Sequence, residues 1–141
     1  MSDKNIKFEY VSLESPDDDI EKLDNKDDHI GEKFIFDITY PLENSVEFKL
    51  ENNEGLTLGQ VIKAISNEYH RIYKEEEETS ELKTESISDR TKGACMLINR
   101  AETNGKYGIW GHGIGDLVMH TLYFKEIDND GYVHYDLGID S

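Results

Sequence analysis

One long stretch of the chain, residues 57–78, carries apolar side chains at the period of an α-helix. They form a single stripe, and the residues between them are polar or charged. Thr57 precedes the stripe and Gln60 follows three residues later, which is the spacing of a reciprocal capping box at a helix start. The pattern predicts one amphipathic helix that packs against a sheet. The stripe consists of Leu58, Val61, Ile62, Ile65, Tyr69 and Ile72.

Much of the chain before this helix alternates between apolar and polar residues, as β-strands do. Residues 33–40 and 45–51 alternate clearly and are separated by the short turn 41–44, so they predict a β-hairpin. Residues 6–13 alternate weakly and predict an edge strand.

A second hairpin is predicted after the helix, around Asn104 and Gly105. This dipeptide is a strong signal for a two-residue type I′ turn, in which both residues have positive φ. Pairing outward from the turn places Arg100 near Ile109 and Asn99 near Trp110.

The last part of the chain predicts two more strands. Residues 116–127 fit either a helix or a central strand, and their aromatic and β-branched content favours the strand. Residues 132–139 then return as the final strand after a turn at residues 128–131. The fold class is therefore predicted to be α+β: a two-layer domain with a mostly antiparallel sheet, built from a β-hairpin, one long helix and a β-meander.

Acidic residues gather in two segments, near residues 14–32 and near residues 75–92, which predict acidic loops. The four glutamates at residues 75–78 place negative charge at the negative end of the helix dipole, so we expect fraying there. The length of 141 residues suits a single domain over residues 1–141.

The composition narrows the choice of partners. The chain has 31 acidic and 15 basic residues, a formal charge of −16. Binding to nucleic acid depends on Lys and Arg releasing counterions from phosphates, so this balance argues against nucleic acid, and the same repulsion argues against anionic membranes. Cys95 is the only cysteine, which excludes an internal disulfide and favours a reducing, intracellular location. We expect a protein that is not secreted, because no signal sequence and no apolar run of ~20 residues is present.

Motifs for metals, cofactors and catalysis are incomplete. The turn 128–131 resembles part of a calcium-binding loop, but Leu137 stands where such a loop requires a bidentate glutamate. The histidines lack the close spacings typical of a zinc site, and no nucleophile elbow is present. We therefore predict no metal, no cofactor and no catalytic residue, and a binding protein is favoured over an enzyme.

The glycine-rich stretch 107–116, YGIWGHGIGD, is the least ordinary segment. It matches neither the dinucleotide-binding fingerprint nor a P-loop. One interpretation is a tight corner in which Trp110 is buried against the helix at Tyr69. The other is a small ligand-binding pocket in which Trp110 stacks on the ligand while His112 and Asp116 supply polar groups.

Three short segments resemble sequences of one group of proteins. Residues 57–62 (TLGQVI), 64–65 (AI) and 107–112 (YGIWGH) are similar to uncharacterised proteins encoded by large DNA viruses of amoebae. The resemblance implies a viral protein that acts in the host cytoplasm or is packaged in the virion. It implies no activity, cofactor or site residue.

Two functions remain open at this point. The first is a non-enzymatic acidic interaction or structural protein that associates with itself or with a protein partner, because open sheet edges and tyrosine-rich strands provide surfaces for pairing. The alternative is a small-ligand-binding protein or an enzyme with its site at residues 107–116.

Overall fold

A computed structural model describes residues 4–81 and 103–141 of the chain. A 3-10 turn, Ile114–Asp116, precedes the fourth strand. In chain order the helices and strands are β1 (Ile6–Ser12), α1 (Asp17–Glu21), β2 (His29–Ile38), β3 (Val46–Thr57), α2 (Leu58–Thr79), β4 (Val118–Ile127) and β5 (Val133–Asp140).

The strands form one five-stranded sheet in the order β1-β4-β5-β2-β3. Neighbouring strands are antiparallel except β2 and β5, which are parallel. The predicted α+β class, with a mostly antiparallel sheet and one long helix, is confirmed.

One face of the sheet is apolar across its whole width. Phe36 lies opposite Phe48 on one side and Tyr135 on the other, and Tyr135 lies opposite Phe124. Residues that face each other across strands point to the same side of a sheet, so these four rings share one face. This face and the apolar stripe of α2 belong to one hydrophobic core.

Helix α2 matches its prediction closely. All six residues of the predicted stripe are fully buried. The capping box is present: Gln60 N donates to Thr57 Oγ1 at 3.3 Å, and Thr57 N donates to Gln60 Oε1 at 2.9 Å. Two further bonds tie the helix to other segments, since Ser66 Oγ donates to the carbonyl of Leu13 and Tyr69 OH donates to the carbonyl of Tyr40.

The described parts of the two acidic segments, residues 14–32 and 75–81, contain more regular secondary structure than the sequence predicts. Residues 14–32 include helix α1 and the first residues of β2, and Leu23 between them is only 5% exposed because it packs into the core. Helix α2 continues through the glutamates at 75–78 and ends at Thr79, so these residues are helical and not part of a loop. Residues 82–92 of the second segment lie outside the described residues.

The final hairpin is confirmed. Residues 118–127 form a strand, β4, and the turn at 128–132 joins it to β5. Asp128 closes this turn, because its carboxylate accepts from the main-chain N–H groups of Asp130 and Tyr132 and from His134 Nε2 at 2.8 Å. The hydrogen bond from His134 lowers the pKa of Asp128. The Asp128 carboxylate therefore accepts its hydrogen bonds from within its own turn and the start of β5.

Of the four strands of the meander predicted after α2, the last two are present, whereas the predicted second strand at residues 106–111 is wrong, because these residues form only an isolated bridge of Ile109 with Leu42. Its first strand falls on residues before 103, outside the described ranges. Within the described part of the chain, no helix is long and apolar enough to cross a membrane.

Candidate functional site

The carboxylate of Glu76 holds the glycine-rich loop against the end of helix α2. Glu76 is fully buried. It accepts hydrogen bonds from Thr103 Oγ1 at 2.6 Å and from the main-chain N–H groups of Gly105 at 2.8 Å, Tyr107 at 2.7 Å and Gly108 at 3.2 Å. Hydrogen bonds to an ionised acceptor are shorter and stronger than those between neutral groups. Four such bonds fix the path of residues 103–108.

A second glutamate, Glu75, acts at the rim of this contact. It accepts from the Tyr107 hydroxyl, from Lys106 Nζ at 3.2 Å and from Arg71 Nη1 at 2.9 Å. The bond from Tyr107 lowers the pKa of Glu75, with Lys106 adding to the effect. The helix end is thus joined to the loop by one buried and one half-buried carboxylate.

The predicted type I′ turn at Asn104-Gly105 is wrong. No non-glycine residue in the described ranges has positive φ, and Gly105 does not have it either. The loop is instead a wider one, closed by a bond from Thr103 N to the carbonyl of Ile109 at 3.0 Å and one from Ile109 N to Thr103 Oγ1 at 2.8 Å. Three main-chain N–H groups of the loop donate to Glu76. Asn99 and Arg100, the other predicted partners, lie outside the described residues.

The chain then turns Ile109 inward and Trp110 outward. Ile109 is fully buried and forms an antiparallel bridge with Leu42, whereas Trp110 is 57% exposed. Gly108 and Gly111 flank this pair with φ of 68° and 74°, a conformation that side chains other than glycine rarely adopt. The prediction that Trp110 is buried against α2 is therefore wrong. Ile109 occupies the inward position, and adjacent residues of an extended segment point to opposite sides.

Trp110 is nevertheless held firmly by its main chain. Its N–H donates to the carbonyl of Pro41 at 2.9 Å, and Glu43 N donates to the carbonyl of Gly108 at 2.8 Å. The indole borders an open groove of about 330 Å³. The groove is lined by Thr39, Tyr40, Pro41, Leu42, Glu43 and Trp110.

His112 brings the three predicted site residues together. Its ring lies edge-on to Trp110, with ring centroids 6.3 Å apart, and its Nδ1 is 3.1 Å from Asp116 Oδ2. The main chain of His112 is anchored as well, because Tyr73 OH on helix α2 donates to its carbonyl at 2.8 Å. Trp110, His112 and Asp116 form one continuous cluster on the surface. The sequence predicted that these three residues lie together but not which contacts join them.

Two members of the cluster were missed in the sequence. Ser141 Oγ is 3.3 Å from His112 Nε2 and 2.7 Å from the Tyr40 hydroxyl, whose ring also contacts His112. Both residues come from strand ends that are distant in sequence from residues 107–116. No local signal could reveal them, because the contact depends on β2 and β5 being parallel neighbours.

The order Asp116, His112, Ser141 has a chemical consequence. If Nδ1–H donates to the carboxylate of Asp116, Nε2 of His112 is an acceptor and faces the hydroxyl of Ser141. Three groups in this order can move a proton from the serine to the imidazole. Within residues 4–81 and 103–141, no cluster of three His, Cys, Asp or Glu side chains is arranged to hold a metal ion.

Compared with known proteins, the sequence matches no protein-family model, and it is significantly similar to no curated protein and to no solved structure. The resemblance to proteins of amoebal viruses therefore remains a prediction.

The neighbouring residues Ile109 and Trp110 provide a matched test of the site geometry. We expect Trp110→Ala to change the free energy of unfolding by less than about 1 kcal/mol, because an exposed side chain loses few contacts. Ile109→Ala should cost about 2–5 kcal/mol, because it leaves a cavity in the core. Urea unfolding of both variants measures the difference. A larger loss for Trp110→Ala than for Ile109→Ala would contradict the assignment.

Glu76→Gln should destabilise the protein by about 2–4 kcal/mol, because the new amide group directs its own N–H at main-chain donors that the carboxylate satisfied. Glu78→Gln is the control. Glu78 is exposed at the same helix end, and its substitution removes the same charge, so we expect a change within about 0.5 kcal/mol. Equal melting temperatures for the two variants would show that Glu76 does not organise the loop.

Proposed function

We propose that this chain is a non-enzymatic interaction protein that binds a basic segment of a partner protein at the Trp110 groove. The observation that carries the proposal is the exposure of Trp110 on a loop fixed by hydrogen bonds. A large aromatic side chain in this setting offers contact area to a partner without having to be ordered first.

The residues that line the groove favour the binding of a positively charged side chain. An indole face attracts Lys and Arg side chains, more strongly than the other aromatic rings do. Glu43 lines the same groove and can pair with a second positive charge. The formal charge of −16 on the chain raises the rate at which a basic partner meets it.

The partner's location is part of the same proposal. A single cysteine is compatible with a reducing compartment, and the similarity to proteins of amoebal viruses would place the partner in a host cytoplasm or a virion.

Calorimetric titration with a short peptide of alternating glycine and arginine tests the proposal at near-physiological salt. We expect one binding site per chain, with an affinity that Trp110→Ala lowers by about 2- to 30-fold, which is the range of a cation–π contact of 0.5–2 kcal/mol. This variant keeps the net charge, so any binding that depends on overall charge alone survives in it.

The control is Tyr123→Ala, which removes another exposed aromatic side chain at unchanged charge. It should bind the peptide as the wild type does. Equal affinities for wild type and Trp110→Ala, or no binding by the wild type, would refute the proposed site.

The hydrogen-bonded order Asp116, His112, Ser141 supports a second candidate, an ester hydrolase at the same cluster. Ser141 Oγ would attack the ester carbonyl while its proton passes to His112 Nε2 and then to the departing alcohol, after which water would release the acyl group. It ranks second because the Ser141 hydroxyl is nearer to Tyr40 than to His112.

Hydrolysis of p-nitrophenyl acetate separates the two candidates. If the chain is an interaction protein, His112→Ala and Ser141→Ala should each change the hydrolysis rate by no more than about twofold. That is the loss expected when one of several surface nucleophiles is removed. A hydrolase should lose at least ~100-fold in both variants and retain its rate in His70→Ala, which removes an exposed histidine elsewhere.

A further inference from the structure

The two edges of the sheet differ in how well they are covered. At the β1 edge, Asn25 Nδ2 donates to the carbonyl of Lys7 at 3.2 Å, and Asp19 accepts from Ser12 N at 2.9 Å. The register of β1 also shifts between Lys7 and Val11. Side chains bound to the main chain and an irregular register both hinder pairing with another strand.

Strand β3 lies at the opposite edge and has 12 residues, about twice the usual strand length. Within residues 4–81 and 103–141, no strand or side chain bonds to the outer edge of residues 46–51. The register of β3 with β2 is constant over residues 46–51 and shifts beyond Glu51, so the regular part of this edge is residues 46–51. A regular edge with main-chain donors and acceptors on its outer side is a surface to which another strand can add.

The side chains of residues 46–50 alternate in a way that suits pairing with themselves. Val46, Phe48 and Leu50 lie on the apolar face and are partly buried, whereas Glu47 and Lys49 are exposed on the other face. We propose that β3 pairs antiparallel with β3 of a second copy of this chain, about a two-fold axis at Phe48.

In this register each face is complementary to itself. Glu47 lies opposite Lys49 of the second copy, and Lys49 lies opposite its Glu47. On the apolar face Phe48 meets Phe48, and Val46 meets Leu50. Opposite charges and apolar pairs at directly facing positions both stabilise a sheet.

The neighbouring registers are less favourable. A two-fold axis at Lys49 would place two lysines together and set Glu47 against Glu51 of the second copy. An axis at Leu50 would pair Lys49 with Glu51 but set Phe48 against Asn52. A shift by a single residue in the pairing would bring the apolar face of one copy beside the polar face of the other.

With the axis at Phe48, the assembly is a continuous ten-stranded sheet made of two copies of the five-stranded one. Each Trp110 groove lies outside the paired strands.

Sedimentation equilibrium over a series from micromolar to near-millimolar protein tests the pairing. We expect a monomer–dimer equilibrium whose dissociation constant rises at least about tenfold in Lys49→Glu, because two attractive cross-strand pairs become repulsive. Lys7→Glu makes the same charge change on the covered edge and should leave the constant unchanged. Circular dichroism checks that each variant is folded.

A double charge exchange tests the register. Glu47→Lys with Lys49→Glu restores both opposite-charge pairs if the axis is at Phe48, so dimerisation should return to within about threefold of wild type. The exchange of Lys49 with Glu51 should not restore it. A wild type that stays monomeric, or a Lys49→Glu variant that dimerises normally, overturns the interface, and rescue by the Lys49–Glu51 exchange alone overturns the register. Peptide binding to the Trp110 groove is measured independently and is unaffected by any of these results.

Discussion

The buried carboxylate of Glu76 is the interaction on which the candidate site depends. A buried carboxylate needs hydrogen bonds in place of those that water would donate. Glu76 receives them from one hydroxyl and three main-chain N–H groups of a single loop. The same bonds satisfy donors that the loop could not satisfy internally. Removing either partner leaves the other unsatisfied, so helix end and loop stabilise each other.

This contact determines how Trp110 is presented. Because residues 103–108 are tied to α2 and residues 41–43 are bonded to the same loop, Ile109 is directed into the core and Trp110 is directed to solvent. A side chain that is rigid at its base loses little conformational freedom when a partner binds. The exposed indole is thus a consequence of the burial of its neighbours.

The acidic character of the chain has a local as well as a global role. Glu75, Glu76 and Asp128 each accept several hydrogen bonds that shape a loop or turn, and they cannot be exchanged for other polar residues without loss of those bonds. In residues 4–81 and 103–141 the other acids are largely on the surface, where they favour basic partners and oppose anionic ones. An edge on which Lys49 alternates with acids can pair with its own copy without placing like charges opposite each other.

The sequence by itself determined the elements whose signals are local. The period of α2, its capping box, the alternation in β2 and β3, and the strand nature of residues 118–127 were all predicted, because each depends on residues a few positions apart. Only the tertiary structure decided the rest. Glu76 lies four residues after Ile72, so the helical period places it on the buried face, but only the fold brings it the hydrogen-bond donors of a distant loop. Trp110 and Ile109 are both apolar, and the space left by distant segments selects Ile109 as the buried one. Tyr40 and Ser141 reach His112 only because β2 and β5 lie side by side, a pairing that no local pattern encodes.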